Sequence, residues 1–229
     1  MKKNYISVST LVLFLCTMLL NASAAFAVSW TNWTSVSIPS GSASGAIDTG
    51  VGTVGVSLDG LINGFVDGDY YYNNASTGGT SASGTYGGLE PSDMIQEWNS
   101  GTVTITFAEA VVNPYISLVS VGQGGLPVGY TFSDLENPIE VFSFGSNYWG
   151  YGGYSVVGEN TFVGREFNGI LRLTGIYDEL TINIAPSEYW HGFNIGVDAV
   201  AAPVPEPATM VLLGLGLTGL AGVRRKKKD

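Results

Sequence analysis

The sequence predicts an all-β protein, an antiparallel β-sandwich or jelly roll, placed between two terminal targeting segments. Three observations support this fold class. The middle of the chain is rich in Gly, Ser, Thr, Asn, Val and aromatic residues, which is typical of strands and turns. Short runs of alternating apolar and polar residues recur at roughly ten-residue spacing. No sustained helical period competes with them in this part of the chain.

Residues 1–27 have the features of a secretory signal peptide. A basic start precedes an apolar run, and Ala25 and Ala27 then form a small-x-small cleavage site. We expect cleavage after Ala27, with Ala24 as the alternative, following export by the Sec machinery. The only cysteine, Cys16, lies in this segment. The mature protein is therefore expected to have no disulfide and no thiol nucleophile.

Residues 28–200 are predicted to form one ectodomain, long enough to bury a substantial core. Their charge is strongly negative. The segment retains seventeen acidic residues of the chain's nineteen and only two basic ones, Arg165 and Arg172, so its net charge is 2 minus 17, or −15. Phosphate binding requires clustered Lys and Arg, and we therefore exclude nucleic acid as a partner. An acidic surface instead resists aggregation and attracts divalent cations.

The strands can be predicted in chain order. Residues 28–58 predict two or three weak strands, residues 73–88 a loop, and residues 91–98 a single helical turn. The run 102–107 alternates apolar residues with threonines, which predicts a half-buried strand, whereas the more apolar run 115–121 predicts a central one. Four further alternations predict strands at 139–144, at Leu171 with Leu173, at Leu180 with Ile182 and Ile184, and at Phe193 with Ile195 and Val197.

The C-terminal segment divides into three parts. Residues 201–207 form a linker that contains the motif Pro205, Glu206, Pro207. Residues 208–223 are uncharged and predict a single transmembrane helix about 24 Å long, which can span a core of roughly 30 Å if the bilayer thins. Residues 224–229 form a basic tail that orients the helix with its C-terminus in the cytoplasm. The basic cluster consists of Arg224, Arg225, Lys226, Lys227 and Lys228.

The alternative for residues 208–223 is a buried C-terminal helix of the folded domain. Such a helix would show a polar face, yet only Thr209 and Thr218 carry polar side chains here. The pattern therefore favours the membrane.

Residues 204–228 resemble the bacterial PEP-CTERM sorting signal. The Pro-Glu-Pro motif, the Gly/Leu-rich apolar helix and the basic cluster occur in the same order and at the same end of the chain. The resemblance implies recognition by an exosortase, a membrane-embedded cysteine transpeptidase, with cleavage near the motif. It also implies a cell-surface or released product in a Gram-negative-type bacterium that secretes exopolysaccharide. Ala208, where Ser is frequent, and the terminal Asp229 are small departures.

Catalytic motifs are absent from the sequence. It contains no Gly-x-Ser-x-Gly elbow, no His-Glu-x-x-His zinc motif and no phosphate loop. The single histidine, His191, is expected to have a structural role at the mouth of a strand. The acidic residues would allow a glycosidase pair, which needs two carboxyl groups roughly 5 to 10 Å apart, but the sequence does not identify one. We expect a protein that is not an enzyme.

One candidate binding feature is an acidic, glycine-rich stretch. Asp59, Asn63, Asp67 and Asp69 supply oxygen ligands suited to Ca²⁺. The alternative is that these residues only form turns. An EF-hand loop that began at Asp59 would need Glu at its twelfth position, where Tyr70 stands.

A second candidate feature is a set of aromatic residues. Three tyrosines occupy 70–72, and Tyr148, Trp149 and Tyr151 follow in a Gly-rich stretch. Exposed rings stack on sugars, which suits a protein at the surface of an exopolysaccharide producer. The alternative is that these rings pack in the core.

Together these features predict an exported, non-enzymatic protein of the cell surface or of an exopolysaccharide and biofilm matrix. The alternative is a carbohydrate-binding module or a polysaccharide hydrolase with the same sorting signal.

Overall fold

The computed structural model describes residues 28–67, 70–73, 84–86, 89, 91–146 and 152–200. The predicted signal peptide (1–27), linker (201–207), transmembrane helix (208–223) and basic tail (224–229) lie outside these residues. Among the described residues, no helix has the length and apolar character needed to cross a membrane.

The described residues contain fifteen strands and one short helix. The strands are β1 (Ser29–Ser37), β2 (Ser42–Asp48), β3 (Thr53–Gly60), β4 (Gly64–Asp67), β5 (Asp93–Glu97), β6 (Gly101–Val112), β7 (Tyr115–Val121), β8 (Val128–Phe132), β9 (Glu140–Phe144), β10 (Gly153–Val157), β11 (Thr161–Arg165), β12 (Phe167–Arg172), β13 (Ile176–Ala185), β14 (His191–Val197) and β15 (Ala199–Val200). The helix α1 is Tyr70–Asn73.

The strands form two antiparallel arrays that are joined into one hydrogen-bonded network. The first array runs β9-β12-β7-β14, and β5 and then β4 continue it beside β14. The second array runs β10-β11-β8-β13-β6-β3-β2-β1. Every strand pair is antiparallel, so the prediction of an all-β, antiparallel protein is confirmed.

Strand β1 passes from one array to the other. Its first two residues, Ser29 and Trp30, pair with β14, and from Thr31 onward it pairs with β2. At the crossing, the Thr31 hydroxyl donates a 2.8 Å hydrogen bond to the carbonyl of Ile195 in β14. Side-chain bonds therefore replace the backbone ladder where the strand leaves its first partner, as buried backbone groups require.

The two arrays share one apolar core, and the first array is also covered on its other face. In β7, Ile116 and Leu118 belong to the main core, whereas Tyr115 and Val119 belong to a second cluster. Successive side chains of a strand face opposite sides. All seven residues of β7 are buried for this reason, and the prediction of a central strand at 115–121 is confirmed.

Of two further predictions of secondary structure, one is confirmed and the other is wrong. Residues 28–58 hold three strands, the upper end of the predicted number. The helical turn predicted at 91–98 is wrong, because Asp93–Glu97 forms β5 and pairs with both β4 and β14. Pairing on both edges satisfies its backbone groups and outweighs a weak local preference for a turn.

Candidate ligand-binding site

A pocket of about 680 Å³ opens where strands of the first array end. Its described lining residues are Tyr71, Trp98, Ser120, Gln123, Glu166, Tyr189 and Trp190. Strand register explains why residues so far apart in sequence meet here. His191 at the start of β14 pairs with Glu97 at the end of β5. The residues just beyond that pair, Trp190 and Trp98, therefore emerge at the same edge of the array.

Aromatic side chains make up most of the pocket lining. The rings of Tyr71 and Trp190 contact each other with centroids 4.9 Å apart and an interplanar angle of 39°. Trp98 is 38% exposed and Tyr189 is 88% exposed, so both offer ring surface to solvent. Such rings present apolar faces on which the C–H face of a sugar ring or an organic cation can stack.

Polar groups are fixed beside the aromatic residues. The Ser120 hydroxyl donates a 2.9 Å hydrogen bond to Oε2 of Glu166. The backbone N–H of Ser120, which has a φ of 57°, donates to Oδ1 of Asn168 at 2.8 Å. The amide nitrogen of Asn168 in turn donates to the backbone carbonyl of Glu166 at 3.1 Å. These contacts hold the Glu166 carboxyl group in a defined position within the pocket lining.

The environment of Glu166 disfavours its charged form. Partial burial raises the pKa of this carboxyl group, the hydrogen bond from Ser120 opposes the rise, and the nearby Glu188 carboxylate adds to it. A positive charge in the pocket would act in the opposite direction and stabilise the ionised carboxylate.

A buried cluster of ionisable residues adjoins the pocket residues in sequence. Nδ1 of His191 lies 2.7 Å from Oε1 of Glu188, and both side chains are almost completely buried. The same Glu188 oxygen accepts a 2.9 Å hydrogen bond from the backbone N–H of Gly122. The Tyr130 ring meets His191 edge-on, with centroids 5.7 Å apart. His191 is the first residue of β14, the position at a strand mouth where the sequence analysis placed it.

Glu97 completes this buried cluster. It is 0% exposed, and neither of its carboxyl oxygens has a hydrogen-bond partner among the described residues. Burial raises the pKa of Glu97 to about 8. It also raises the pKa of Tyr130 well above its usual range, with the charges of Glu188 and Glu97 adding to that effect. A pKa raised to about 8 favours the protonated form of Glu97 at pH 7. Because it is 0% exposed, this carboxyl group has no access to a molecule in the pocket.

Two of the residues predicted to bind calcium lie on strands of different arrays. Asp59 lies in β3 of the second array, whereas Asp67 ends β4 in the first. Oδ1 of Asn63 already accepts hydrogen bonds from the backbone N–H groups of Trp98 and Asn99, at 3.0 and 3.3 Å. Asp69 lies outside the described residues. Within the part of the chain that is described, no three His, Cys, Asp or Glu side chains are arranged to hold a metal ion, and calcium binding here stays a prediction.

The predicted aromatic candidates have mixed locations. Tyr148, Trp149 and Tyr151 lie outside the described residues. Tyr71 lines the pocket, whereas Tyr72 is fully buried and its hydroxyl lies 2.9 Å from Oγ of Ser117. For Tyr72, the alternative of core packing is thus the one observed.

Sequence reasoning missed most of the residues that line the pocket. The set comprises Trp98, Ser120, Gln123, Glu166, Tyr189 and Trp190. One available signal was that the Tyr189-Trp190 pair directly precedes the strand predicted around Phe193, while Trp98 follows 93–97. An antiparallel pairing of these two stretches would bring the tryptophans together. Because residues 91–98 are predicted to form a helical turn, that strand pairing is not predicted from the sequence.

The C-terminal residues 203–226 match the family model described as PEP-CTERM protein-sorting motif. The matched segment contains Pro205, Glu206 and Pro207 and reaches Lys226 in the basic cluster. The resemblance of the tail to this sorting signal is confirmed, and the motif implies export, processing by an exosortase and sorting to the cell surface. No curated protein and no solved structure matches the chain.

Proposed function

We propose that this exported, exosortase-sorted protein binds a saccharide in its aromatic pocket and acts at the cell surface as a binding protein rather than as an enzyme. The observation that carries the proposal is the pocket itself, in which Tyr71, Trp98, Tyr189 and Trp190 surround a carboxyl group held by Ser120. Its volume of about 680 Å³ falls within the range of roughly 300 to 1,000 Å³ that is common for small-molecule sites.

The chemistry of the lining fits sugars. A sugar ring has apolar C–H faces and a polar hydroxyl edge, so it requires flat apolar walls together with a few fixed hydrogen-bonding groups. The aromatic rings supply the walls. Ser120, Gln123 and Glu166 supply the polar groups.

The distribution of carboxyl groups supports binding without hydrolysis. Glycoside hydrolysis needs two carboxyl groups that flank the scissile bond. Among the described lining residues, Glu166 is the only one with a carboxyl group. Glu97 and Glu188 have side chains with 0% exposure, so they do not reach a molecule in the pocket.

The sorting signal suggests where such a site would act. Sorting at the cell surface would place the pocket among polysaccharides of the producing cell. We propose that the protein associates there with exopolysaccharide and contributes to a biofilm matrix.

Affinity electrophoresis tests this function. The chain is expressed with its export and sorting signals in a host that lacks an exosortase, so that the C-terminal tail is retained. The protein is purified from the membrane in detergent and run through gels with and without the exopolysaccharide of its own host. Retardation is expected for the wild type and should be lost for Trp98→Ala. Phe142→Ala is the matched control, because Phe142 is 41% exposed yet packs against Tyr115, outside the pocket lining.

Release of reducing sugar from the same polysaccharide is measured in parallel. Retardation without turnover would support a binding protein. Equal mobility in both gels would contradict saccharide binding. Release of reducing sugar that is lost when a carboxyl residue is substituted would show that the protein is a hydrolase and not a binding protein.

A further inference from the structure

We infer that the ligand of this pocket is an amino sugar whose nitrogen is a free, protonated amine. The inference rests on the proposed saccharide function and specifies the class of sugar. Two observations carry it. The pocket combines an aromatic lining with one fixed carboxyl group, and none of the described lining residues has a basic side chain.

The charges around the pocket exclude an anionic ligand. Between residues 28 and 200 the only Lys or Arg side chains are those of Arg165 and Arg172. Arg172 is committed to Glu140 at 3.4 Å and to Asp198 at 3.6 Å, and its guanidinium lies over the Tyr115 ring. Arg165 is exposed and is not one of the described lining residues. A sugar carboxylate or sulfate would thus meet Glu166 without a compensating cation.

The acidic groups near Glu166 favour a cation in the pocket. Glu166 lies between β11 and β12, and Ser120 of β7 donates to it. Glu188, just before β14, lies close enough for its carboxylate to raise the pKa of Glu166. Other ionisable groups of this region are His191 on β14, Glu97 on β5 and Tyr130 on β8. Tyr71 and Tyr189 lie in the pocket lining, and Arg165 directly precedes Glu166 in the chain. An ammonium group would offset the repulsion between Glu166 and Glu188.

The aromatic rings would serve an ammonium group as well as a sugar face. A cation within about 6 Å of a Trp or Tyr ring face is attracted by the negative face of the ring. The Tyr71–Trp190 pair, with Trp98 and Tyr189, places such faces around the same opening as Glu166. One residue set can therefore hold a cationic nitrogen by its carboxylate and the rest of the sugar by stacking.

Calorimetric titration of the same detergent-purified protein tests the inference with three probes. These are a β-1,4-linked glucosamine tetramer, the same tetramer fully N-acetylated, and choline. The two tetramers differ only in the charge and acylation of the nitrogen, while choline offers an ammonium group without a sugar. At neutral pH we expect the free amine tetramer to bind at least about tenfold more tightly than its acetylated counterpart, because charge-assisted hydrogen bonds are the stronger ones.

Two variants extend the comparison. Glu166→Gln should reduce glucosamine affinity about tenfold, whereas Phe142→Ala should leave it unchanged. Affinity for the amine tetramer should fall as pH decreases through the pKa of Glu166 and again as pH rises through that of the amine. The wild-type comparison of the two tetramers needs no variant, so a failure of Glu166→Gln to fold would leave the test intact.

The outcomes distinguish amino-sugar specificity from saccharide binding in general. Equal or tighter binding of the acetylated tetramer would overturn the amino-sugar inference and leave saccharide binding in place. Binding of choline with no binding of either tetramer would overturn both. Binding of none of the probes would overturn the inference, and mobility in polysaccharide gels would then decide separately whether saccharide binding stands.

Discussion

The indole Nε1 of Trp33 donates a 2.9 Å hydrogen bond to Oδ1 of Asn194, which lies 161 positions away in the chain. Both side chains are buried. Oδ1 of Asn194 also accepts from the backbone N–H of Ile195 at 2.8 Å, and its Nδ2 donates to the carbonyl of Thr31 at 3.1 Å. One amide side chain thus satisfies the groups exposed where β1 passes from the first array to the second.

Replacement of Asn194 by Ala should lower the free energy of unfolding by about 2 to 4 kcal/mol, because it leaves several buried donors and acceptors without partners. Urea denaturation measures the change. The control is Asn183→Ala, whose Nδ2 makes only an exposed 3.4 Å contact with Oγ1 of Thr102, and it should change stability by less than about 0.5 kcal/mol. Similar losses in both variants would contradict this role for Asn194.

Glu97 should make stability depend on pH. Its pKa rises from 4.5 to about 8 on folding because of burial, so between these values the folded chain holds a proton that the unfolded chain has released. The contribution of this proton to the free energy of unfolding is therefore fully present below about pH 4.5 and is lost as pH rises toward 8. Between these values the free energy of unfolding falls by at most about 1.4 kcal/mol per pH unit.

The variant Glu97→Gln should remove this slope and should be more stable than the wild type at pH 8. Urea denaturation at several pH values from 5 to 8 measures the effect. Glu109→Gln, on an exposed position of β6, serves as the control and should keep the wild-type slope. An unchanged slope in Glu97→Gln would show that this buried carboxyl group does not take up the proton.

Gly122 follows β7 in a conformation that favours glycine, with a φ of +77°. A Cβ atom at this position would lie 2.3 Å from the backbone carbonyl oxygen of Gly164. Gly122→Ala should therefore cost at least about 2 kcal/mol of stability. Gly124→Ala, where an added Cβ would meet no atom within 4 Å, should cost little by comparison. Thermal unfolding of the two variants measures the difference, and equal melting temperatures would contradict the packing argument.

The sorting motif predicts a defined processed product. In its own host the wild-type protein should begin near Val28 and end near Pro205, and it should be found at the surface or in the medium. Intact-mass measurement and cell fractionation test this. A variant with Ala at positions 205, 206 and 207 should keep its C-terminal mass and remain in the inner membrane. A wild-type protein that retains its full tail would contradict processing.

The fold class was predictable because strand alternation is a local signal. The runs 102–107 and 115–121 show it clearly, and both lie in strands. The strand Asp93–Glu97 was missed because a buried glutamate and a preceding proline look unlike a strand until partners on both sides are known. Its identity depends on β4 and β14, which local sequence does not reveal.

The pocket was harder to predict than the fold. Tyr71, Trp98, Ser120 and Trp190 come from separate parts of the chain, and only the register that sets His191 opposite Glu97 brings the two tryptophans to one edge. A shift of one residue would send these side chains to the opposite face. The sorting signal, in contrast, was readable from sequence because its three parts are contiguous.

A crystal structure of the protein with the glucosamine tetramer would show whether the aromatic pocket binds an amino sugar through Glu166. We predict density for a sugar ring between Trp98 and the Tyr71–Trp190 pair, with its amine nitrogen within about 3.2 Å of a Glu166 carboxyl oxygen. Tetramer bound to another surface, with the aromatic pocket empty at saturating ligand, would contradict amino-sugar binding in this pocket.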